Sequence, residues 1–315
     1  MPTYRKKRNI DYEAKGLIFD IDRFAVHDGP GIRMAIFLKG CGWTCSWCHN
    51  PESQSQTQEI AYYETKCIGC LTCINLCPKG AITFHPDQKI VIDRERCNVC
   101  GECIRGCYAE ALKLVGECMT VGQLLEIALK DRIFYECSDG GATLTGGEVA
   151  VQAEFSTHFL WACRDHGIHT AIETSGFSKW SVLKTIIAPV DLILYDMKVM
   201  DPKIHREKIG VSNRLILNNL RKIRQLFPEK QIQIRVPCIP GISDTDENIQ
   251  KTSRFVSSLG ITQLALLPYN ETASAKYQWM GRVYPHPDWK TQSPDHMERL
   301  NAIAVSYGLE VEIDD

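Results

Sequence analysis

Three cysteines, Cys41, Cys45 and Cys48, stand in the spacing C-x3-C-x2-C. Three thiolates can hold three irons of a [4Fe–4S] cluster and leave the fourth iron open. An unfilled coordination position marks chemistry rather than structure, as it does in catalytic zinc sites. A ligand carrying an amino and a carboxylate group could take that iron, whereas a fourth cysteine would block it. Structural zinc is the poorer reading, because no fourth ligand lies nearby and His49 adjoins Cys48 directly.

A second group of thiols follows. Cys67, Cys70, Cys73 and Cys77-Pro78 form C-x2-C-x2-C-x3-C-P, the bacterial ferredoxin run. Thirty residues later Cys97, Cys100, Cys103 and Cys107 repeat it, with Tyr108 where proline is usual. A fixed offset with the same cysteine grammar indicates two copies of one small unit. In two-cluster ferredoxins the fourth cysteine of each run ligates the other cluster. That rule assigns Cys67, Cys70, Cys73 and Cys107 to one [4Fe–4S] cluster, and Cys97, Cys100, Cys103 and Cys77 to another. Zinc ribbons use paired C-x2-C rather than triplets. The remaining thiols, Cys118, Cys137, Cys163 and Cys238, lack ligand spacing and read as buried and inert.

The elements that must position these groups can be read from periodicity. Residues 1–16 form a basic, polar tail without an apolar segment behind it, unlike a secretory signal. A short strand, Gly16–Phe19, and a polar turn, His27–Gly31, precede the apolar run Met34–Leu38 that ends at the first cysteines. Residues 52–118 are cysteine-dense, with short strands and no long helix. After Thr120, helical periodicity over 121–134, 154–166, 178–187, 215–227, 247–259 and 294–307 alternates with apolar runs at 142–145, 170–173, 192–196, 232–236 and 264–267. With Ala35–Leu38 these make six β-runs, and 309–313 adds one more. The pattern predicts an α/β fold with a parallel sheet and helices outside. Chemistry in such sheets gathers at the carboxyl ends of the strands. Those ends carry Cys41, Gly146-Gly147-Glu148, Glu173-Thr174, Asp196 and Lys198, Arg235, and Tyr269-Asn270.

Bulk composition narrows the class. The chain has 315 residues, 44% hydrophobic and 23% charged, and a formal charge of −2, so no global basic field points to nucleic acid or an anionic membrane. No apolar run approaches the length of a membrane span. Fifteen cysteines, an odd number, in a chain without a secretory signal argue for metal in a reducing cytoplasm rather than disulfides.

Beyond spacing, the stretches Asp28-Gly29-Pro30-Gly31-Ile32-Arg33, Phe37-Leu38-Lys39-Gly40-Cys41 and Trp47-Cys48-His49-Asn50-Pro51-Glu52 resemble the glycyl radical enzyme activating family, within the radical S-adenosylmethionine (SAM) superfamily. The resemblance continues through Thr145-Gly146-Gly147-Glu148, Gly167–Thr170, Asp196-Met197-Lys198, Gly210–Asn213 and Leu267-Pro268-Tyr269. It implies a partial (β/α)6 radical SAM barrel over 17–51 and 119–315, with the ferredoxin-like insert at 52–118. It implies three [4Fe–4S] clusters, one binding SAM at Cys41, Cys45 and Cys48 and two auxiliary.

By the same resemblance Trp47 and His49 border the adenine, and Gly146-Gly147 admit the methionyl amine, with Glu148 and Met197 in the same SAM-binding stretches. Asp196 and Lys198 lie near ribose and carboxylate, and Arg235 near the sulfonium. Glu173, Thr174 and Asp196 match a monovalent cation site, with Glu173 standing where pyruvate formate-lyase activase has aspartate. Asn270 stands where many relatives place histidine against the adenine. Lys198 and Arg235 join the three cysteines as catalytic candidates.

The implied reaction is reductive cleavage of SAM to a 5′-deoxyadenosyl radical. That radical takes a glycine Cα hydrogen from a partner glycyl radical enzyme, with flavodoxin or ferredoxin as electron donor, in a monomer of an anaerobic or facultative cell. The insert suggests a partner among the dehydratase, decarboxylase or carbon–heteroatom lyase groups. Two rival readings are a radical SAM enzyme acting on a small molecule and a plain electron-transfer ferredoxin.

Overall fold

The computed structural model describes residues 9–86 and 89–314, so the first eight residues of the expected polar tail lie outside the described residues. Strands β1 to β7 span Lys15–Ala25, Arg33–Leu38, Glu59–Tyr62, Ile82–His85, Lys89–Ile92, Leu112–Val115 and Glu117–Thr120. Strands β8 to β13 span Gly141–Gly146, His169–Thr174, Leu192–Asp196, Gln231–Pro237, Gln263–Leu267 and Glu310–Ile313. The expected six-strand β/α series is present as β2 and β8 to β12. The chain divides into two compact units, one of residues 1–38, 118–196 and 214–234, the other of 39–117, 197–213 and 235–315.

In the first unit the sheet order is β7-β1-β2-β8-β9-β10-β11. Strands β2, β8, β9 and β10 are parallel neighbours. Parallel strands are covered on both faces and therefore read as continuous apolar runs. Leu192, Ile193, Leu194 and Tyr195 of β10 are all buried. Helices Ala153–Asp165, Trp180–Ile187 and Arg214–Leu226 supply the crossovers, and the first buries Phe155, Phe159 and Leu160.

Two expectations are corrected here. The short strand at 16–19 is an eleven-residue strand, β1, antiparallel to β2 and broken by register shifts. Its second half, Asp20-Ile21-Asp22-Arg23, is too polar to signal a strand by hydrophobicity. The single helix expected over 121–134 is two, Val121–Lys130 and Arg132–Ser138. Asp131 leaves helical geometry between them, and its buried carboxylate takes the Arg23 guanidinium, Nε at 2.7 Å. Arg33 is fully buried. Its Nε donates to Thr143 Oγ1 at 2.7 Å and its Nη2 to the Ala142 carbonyl at 3.1 Å. Burial lowers its pKa to about 10, so it stays cationic at neutral pH.

In the second unit the end of β11 lies beside β12, Cys238 N–H donating to the Leu267 carbonyl at 2.7 Å, and β12 pairs in parallel with β13. Helices Asp246–Ser258 and Pro294–Val305 are capped by Thr245 and Ser293 side chains. Helices Pro202–Ile209 and Ala273–Trp279 were not foreseen, being short and largely polar. Among the described residues no helix is long and apolar enough to cross a membrane.

The cysteine-rich segment belongs to this second unit and has its own core of Ile60, Cys73, Ile82, Ile90, Cys103 and Leu112. β3 pairs with β6 and β4 with β5, both antiparallel. Its internal repeat extends to the backbone. Left-handed φ values occur at Gly69 and Val99, at Leu71 and Gly101, and at Gly80 and Glu110, each pair thirty residues apart. Ala81 N–H donates to Cys77 Sγ at 3.2 Å, and Ala111 N–H to Cys107 Sγ at 3.3 Å. One copy thus shows where the other carries strain. Glu110 is exposed and sits where its twin is glycine, so Glu110→Gly is expected to stabilise the protein by roughly 0.5–1 kcal/mol. The melting temperature should rise by about 2 °C, and a fall would contradict the reading of left-handed strain.

Candidate functional site

In the first unit three strand ends meet around one carboxylate. Glu148, just past β8, is buried with its carboxylate facing the end of β9. Thr174 Oγ1 donates to its Oε1, and Ser175 donates to Oε2 from backbone N–H at 3.0 Å and from Oγ at 2.9 Å. Burial pushes the Glu148 carboxyl up, while the Thr174 and Ser175 hydrogen bonds pull it down. Glu173 accepts from Thr145 Oγ1. The Tyr195 hydroxyl donates to the Ile216 carbonyl at 2.7 Å, and Asn219 donates to the carbonyls of Gly176 and Ser178. Gly146, at φ +95°, has a packing reason for lacking a side chain, since a Cβ would lie 2.7 Å from Leu38 N. Gly147 N–H donates to the Leu38 carbonyl at 2.9 Å, and Asp196 closes β10. The structure therefore brings Gly146, Gly147, Glu148, Glu173 and Thr174 into one fixed group.

The second unit carries the cysteine loop. Its base is closed by Gly40 N–H to the Ser53 carbonyl at 2.7 Å, and its turn by Cys48 N–H to the Cys45 carbonyl at 3.2 Å. Trp47 is buried in an aromatic cluster with Tyr269, Tyr277 and Tyr284, and Cys45 and Cys48 pack against it. The Tyr269 and Tyr284 hydroxyls are 2.6 Å apart, and the His49 ring meets Tyr269 edge-on. Burial raises the Cys48 thiol, and the Asn50 backbone, the Gln54 side chain and the Lys198 charge lower it. The backbone around Lys198 is stapled by Asn213, the end of the resembling stretch Gly210–Asn213, and by Asn248, which carries no sequence signal. Asn248 donates to the Lys198 carbonyl at 3.3 Å and accepts from Met200 N–H at 2.8 Å. Asn213 donates to the carbonyls of Val199 and Met200.

Buried Met197 donates its N–H to the Arg235 carbonyl at 2.8 Å. The Arg235 guanidinium faces Asp314 at 3.6 Å, an ion pair without any local sequence signal. Asn270 is exposed, and its Oδ1 accepts from Thr272 N–H at 2.9 Å and Oγ1 at 2.7 Å, a local turn.

In the insert, one of the two expected sets of sulfurs shares a cavity. Cys67, Cys70, Cys73 and Cys107 line one cavity with Ile68, Leu71 and Ile90. Burial, together with the charges of Cys97, Cys73, Cys77 and Cys100, raises the Cys103 thiol to about 11. Among the described residues no three His, Cys, Asp or Glu side chains close on a point as a single ion requires. Thiolates around a cubane bond separate irons and stand farther apart, and a four-sulfur donor set around an apolar cavity fits such a group. All fifteen cysteines are free of disulfides. One expectation fails: Cys163 and Cys238 are buried, but Cys118 and Cys137 are exposed, on outward faces of β7 and of helix Arg132–Ser138.

Fold and cysteine pattern define an iron–sulfur α/β protein with a dicluster insert. Residues 66–111 match the 4Fe-4S dicluster domain family and residues 27–74 the 4Fe-4S single cluster domain family. The chain is 40% identical over 300 residues to the isethionate sulfite-lyase activating enzyme of Oleidesulfovibrio alaskensis, covering 94% of this chain and 96% of that one. It is 35% identical to the indoleacetate decarboxylase activating enzyme of Tractidigestivibacter scatoligenes, over 96% and 98% of the two chains. Identity to the 4-hydroxyphenylacetate decarboxylase activating enzyme of Clostridioides difficile is 36%, over 94% and 95%. The chain belongs to the radical SAM family of glycyl radical enzyme activating enzymes.

Ser175 is buried, gives two bonds to Glu148 and accepts one at Oγ from Phe177 N–H at 3.3 Å. Ser175→Ala is expected to cost about 1–2 kcal/mol by leaving Oε2 under-satisfied. A melting temperature equal to that of the unmodified chain would show that the carboxylate is held otherwise.

Proposed function

We propose that the chain carries three [4Fe–4S] clusters and binds SAM at the one held by Cys41, Cys45 and Cys48. With cluster and SAM bound, the cofactors supply a 5′-deoxyadenosyl radical that takes a glycine Cα hydrogen from a partner enzyme. What the chain's own residues do follows from their setting. The three sulfurs come from one short loop closed at its base, with no fourth cysteine in it. Lys198, whose charge lowers the Cys48 thiol, offers a cation to a ligand carboxylate. Glu148, held by Thr174 and Ser175, offers an acceptor to an ammonium group. The Trp47 cluster excludes water from one side of the loop. Gly146-Gly147, Asp196, Met197, His49 and Arg235 complete the proposed SAM contacts. Glu173, Thr174 and Asp196 are the proposed place for a monovalent cation.

The observation that carries this reading is the separation of eleven thiols into a three-cysteine loop and an eight-cysteine insert. The proposed partner is a glycyl radical enzyme of the decarboxylase or carbon–heteroatom lyase kind. Relatives named for isethionate sulfite-lyase and two arylacetate decarboxylases support that choice. A flavodoxin or ferredoxin in an oxygen-poor cytoplasm would supply the electron.

Anaerobically reconstituted protein given dithionite and SAM should release 5′-deoxyadenosine and methionine. Cys45→Ala should abolish that release and lower bound iron by about four atoms per chain. Absence of 5′-deoxyadenosine from the unmodified, iron-loaded chain would overturn the activase reading and leave a plain electron-transfer protein.

A further inference from the structure

The cysteine loop and the cysteine-rich insert meet at the turn after helix Ala273–Trp279, within one compact unit. Arg282 occupies that junction. Its Nη1 donates to the Pro51 carbonyl and to Gln54 Oε1 at 3.1 Å, both on the exit of the cysteine loop. Its Nη2 donates to Glu59 Oε1 at 2.7 Å, on β3 of the insert. The other oxygen of Glu59 takes Lys39 Nζ at 3.0 Å. Lys39 is itself buried and donates to the Glu52 carbonyl at 2.6 Å, so one ammonium ties the residues before and after the cysteine loop. The insert returns a second guanidinium: Arg94 Nη2 donates to the Met280 carbonyl at 3.0 Å, and Arg94, Glu59 and Cys97 line one cleft. The Tyr63 and Trp279 rings, 4.9 Å apart, pack alongside.

Such a buried cluster is poor evidence for stability, because charges lose hydration on burial. Its value lies in geometry. A guanidinium offers donors in a rigid planar fork, and here one fork spans both cysteine segments. The cleft holding Arg94 opens on Cys97, so the set of Cys97, Cys100, Cys103 and Cys77 is the one adjoining the junction. The other set, around Cys70, lines a cavity with the exposed side chains of Ile68 and Leu71.

We propose that Arg282, acting through Glu59 and Lys39, is a positioning residue that fixes the Cys97 set against the Cys41 loop for electron transfer. This rests on the proposed cluster assignment. In the transfer, a one-electron protein donor of the flavodoxin class is oxidised, and the electron passes through the insert to the cluster at Cys41, Cys45 and Cys48. No bond is made or broken.

The test is Arg282→Ala, with Arg282→Lys as conservative variant and Glu59→Gln as a second variant for use if Arg282→Ala fails to fold. Reduction of the iron–sulfur chromophore by reduced flavodoxin is followed by stopped-flow absorbance. Low-temperature EPR follows cluster content and the SAM response in dithionite-reduced samples. Arg282→Ala should lose most of the flavodoxin-driven rate, because the planar fork that spans both cysteine segments is gone. Cluster content, the dithionite-reduced spectrum and its SAM response should stay unchanged. Arg282→Lys, which keeps the charge but not the fork, should recover only part of the rate. Equal flavodoxin-driven rates in all variants would overturn the proposal, as would equal loss under dithionite and flavodoxin. A missing SAM response in the unmodified protein would instead count against the cluster assignment itself.

Discussion

A four-iron cubane needs a ligand on every iron, and the loop from Cys41 to Cys48 offers three sulfurs. Several contacts in the second unit hold the loop that carries those sulfurs. Short loops keep one shape poorly alone, because each rotatable bond must be fixed at an entropic cost. The chain meets the cost with packing and charge. Trp47 anchors the loop from within, Gly40 and Ser53 close its base, and Lys39 bonds the Glu52 carbonyl on its far side. An apolar anchor, a backbone bond and a buried ammonium act on different points of the fourteen residues from Gly40 to Ser53.

The first unit solves a related problem with a carboxylate. Glu148 would be costly to bury charged, and burial does raise its pKa. Two hydroxyls and a backbone N–H from the end of β9 offset part of that cost and fix the oxygens in place. Ser175 and Thr174 reach it only because β8 and β9 are parallel neighbours in register, Gly141 opposite His169. Strand pairing thus decides where the acceptor points.

Much of this was legible in the sequence, and the reason is periodicity. Leu192–Asp196 reads as a buried parallel strand and is one, to the residue. The thirty-residue repeat announced itself in cysteine spacing and recurs in backbone dihedrals. The parts that were hidden are long-range pairs with no period. Nothing local marks Asp314 as the partner of Arg235, or Glu59 as the hinge between Lys39 and Arg282. Asn248 reads as an ordinary polar residue, and Asn213 only closes the resembling stretch Gly210–Asn213, yet they hold the backbone carrying Lys198. Gly146 shows the opposite case, a glycine read for a ligand that also has a plain steric cause in Leu38.

The most direct measurement is Mössbauer spectroscopy of the anaerobic, iron-57-loaded full-length protein before and after addition of SAM. One iron in the cluster at Cys41, Cys45 and Cys48 should change its isomer shift on SAM addition, with the insert irons unmoved. Spectra that superimpose with and without SAM, in protein holding its full iron content, would contradict an open iron and with it the chemistry assigned to this chain.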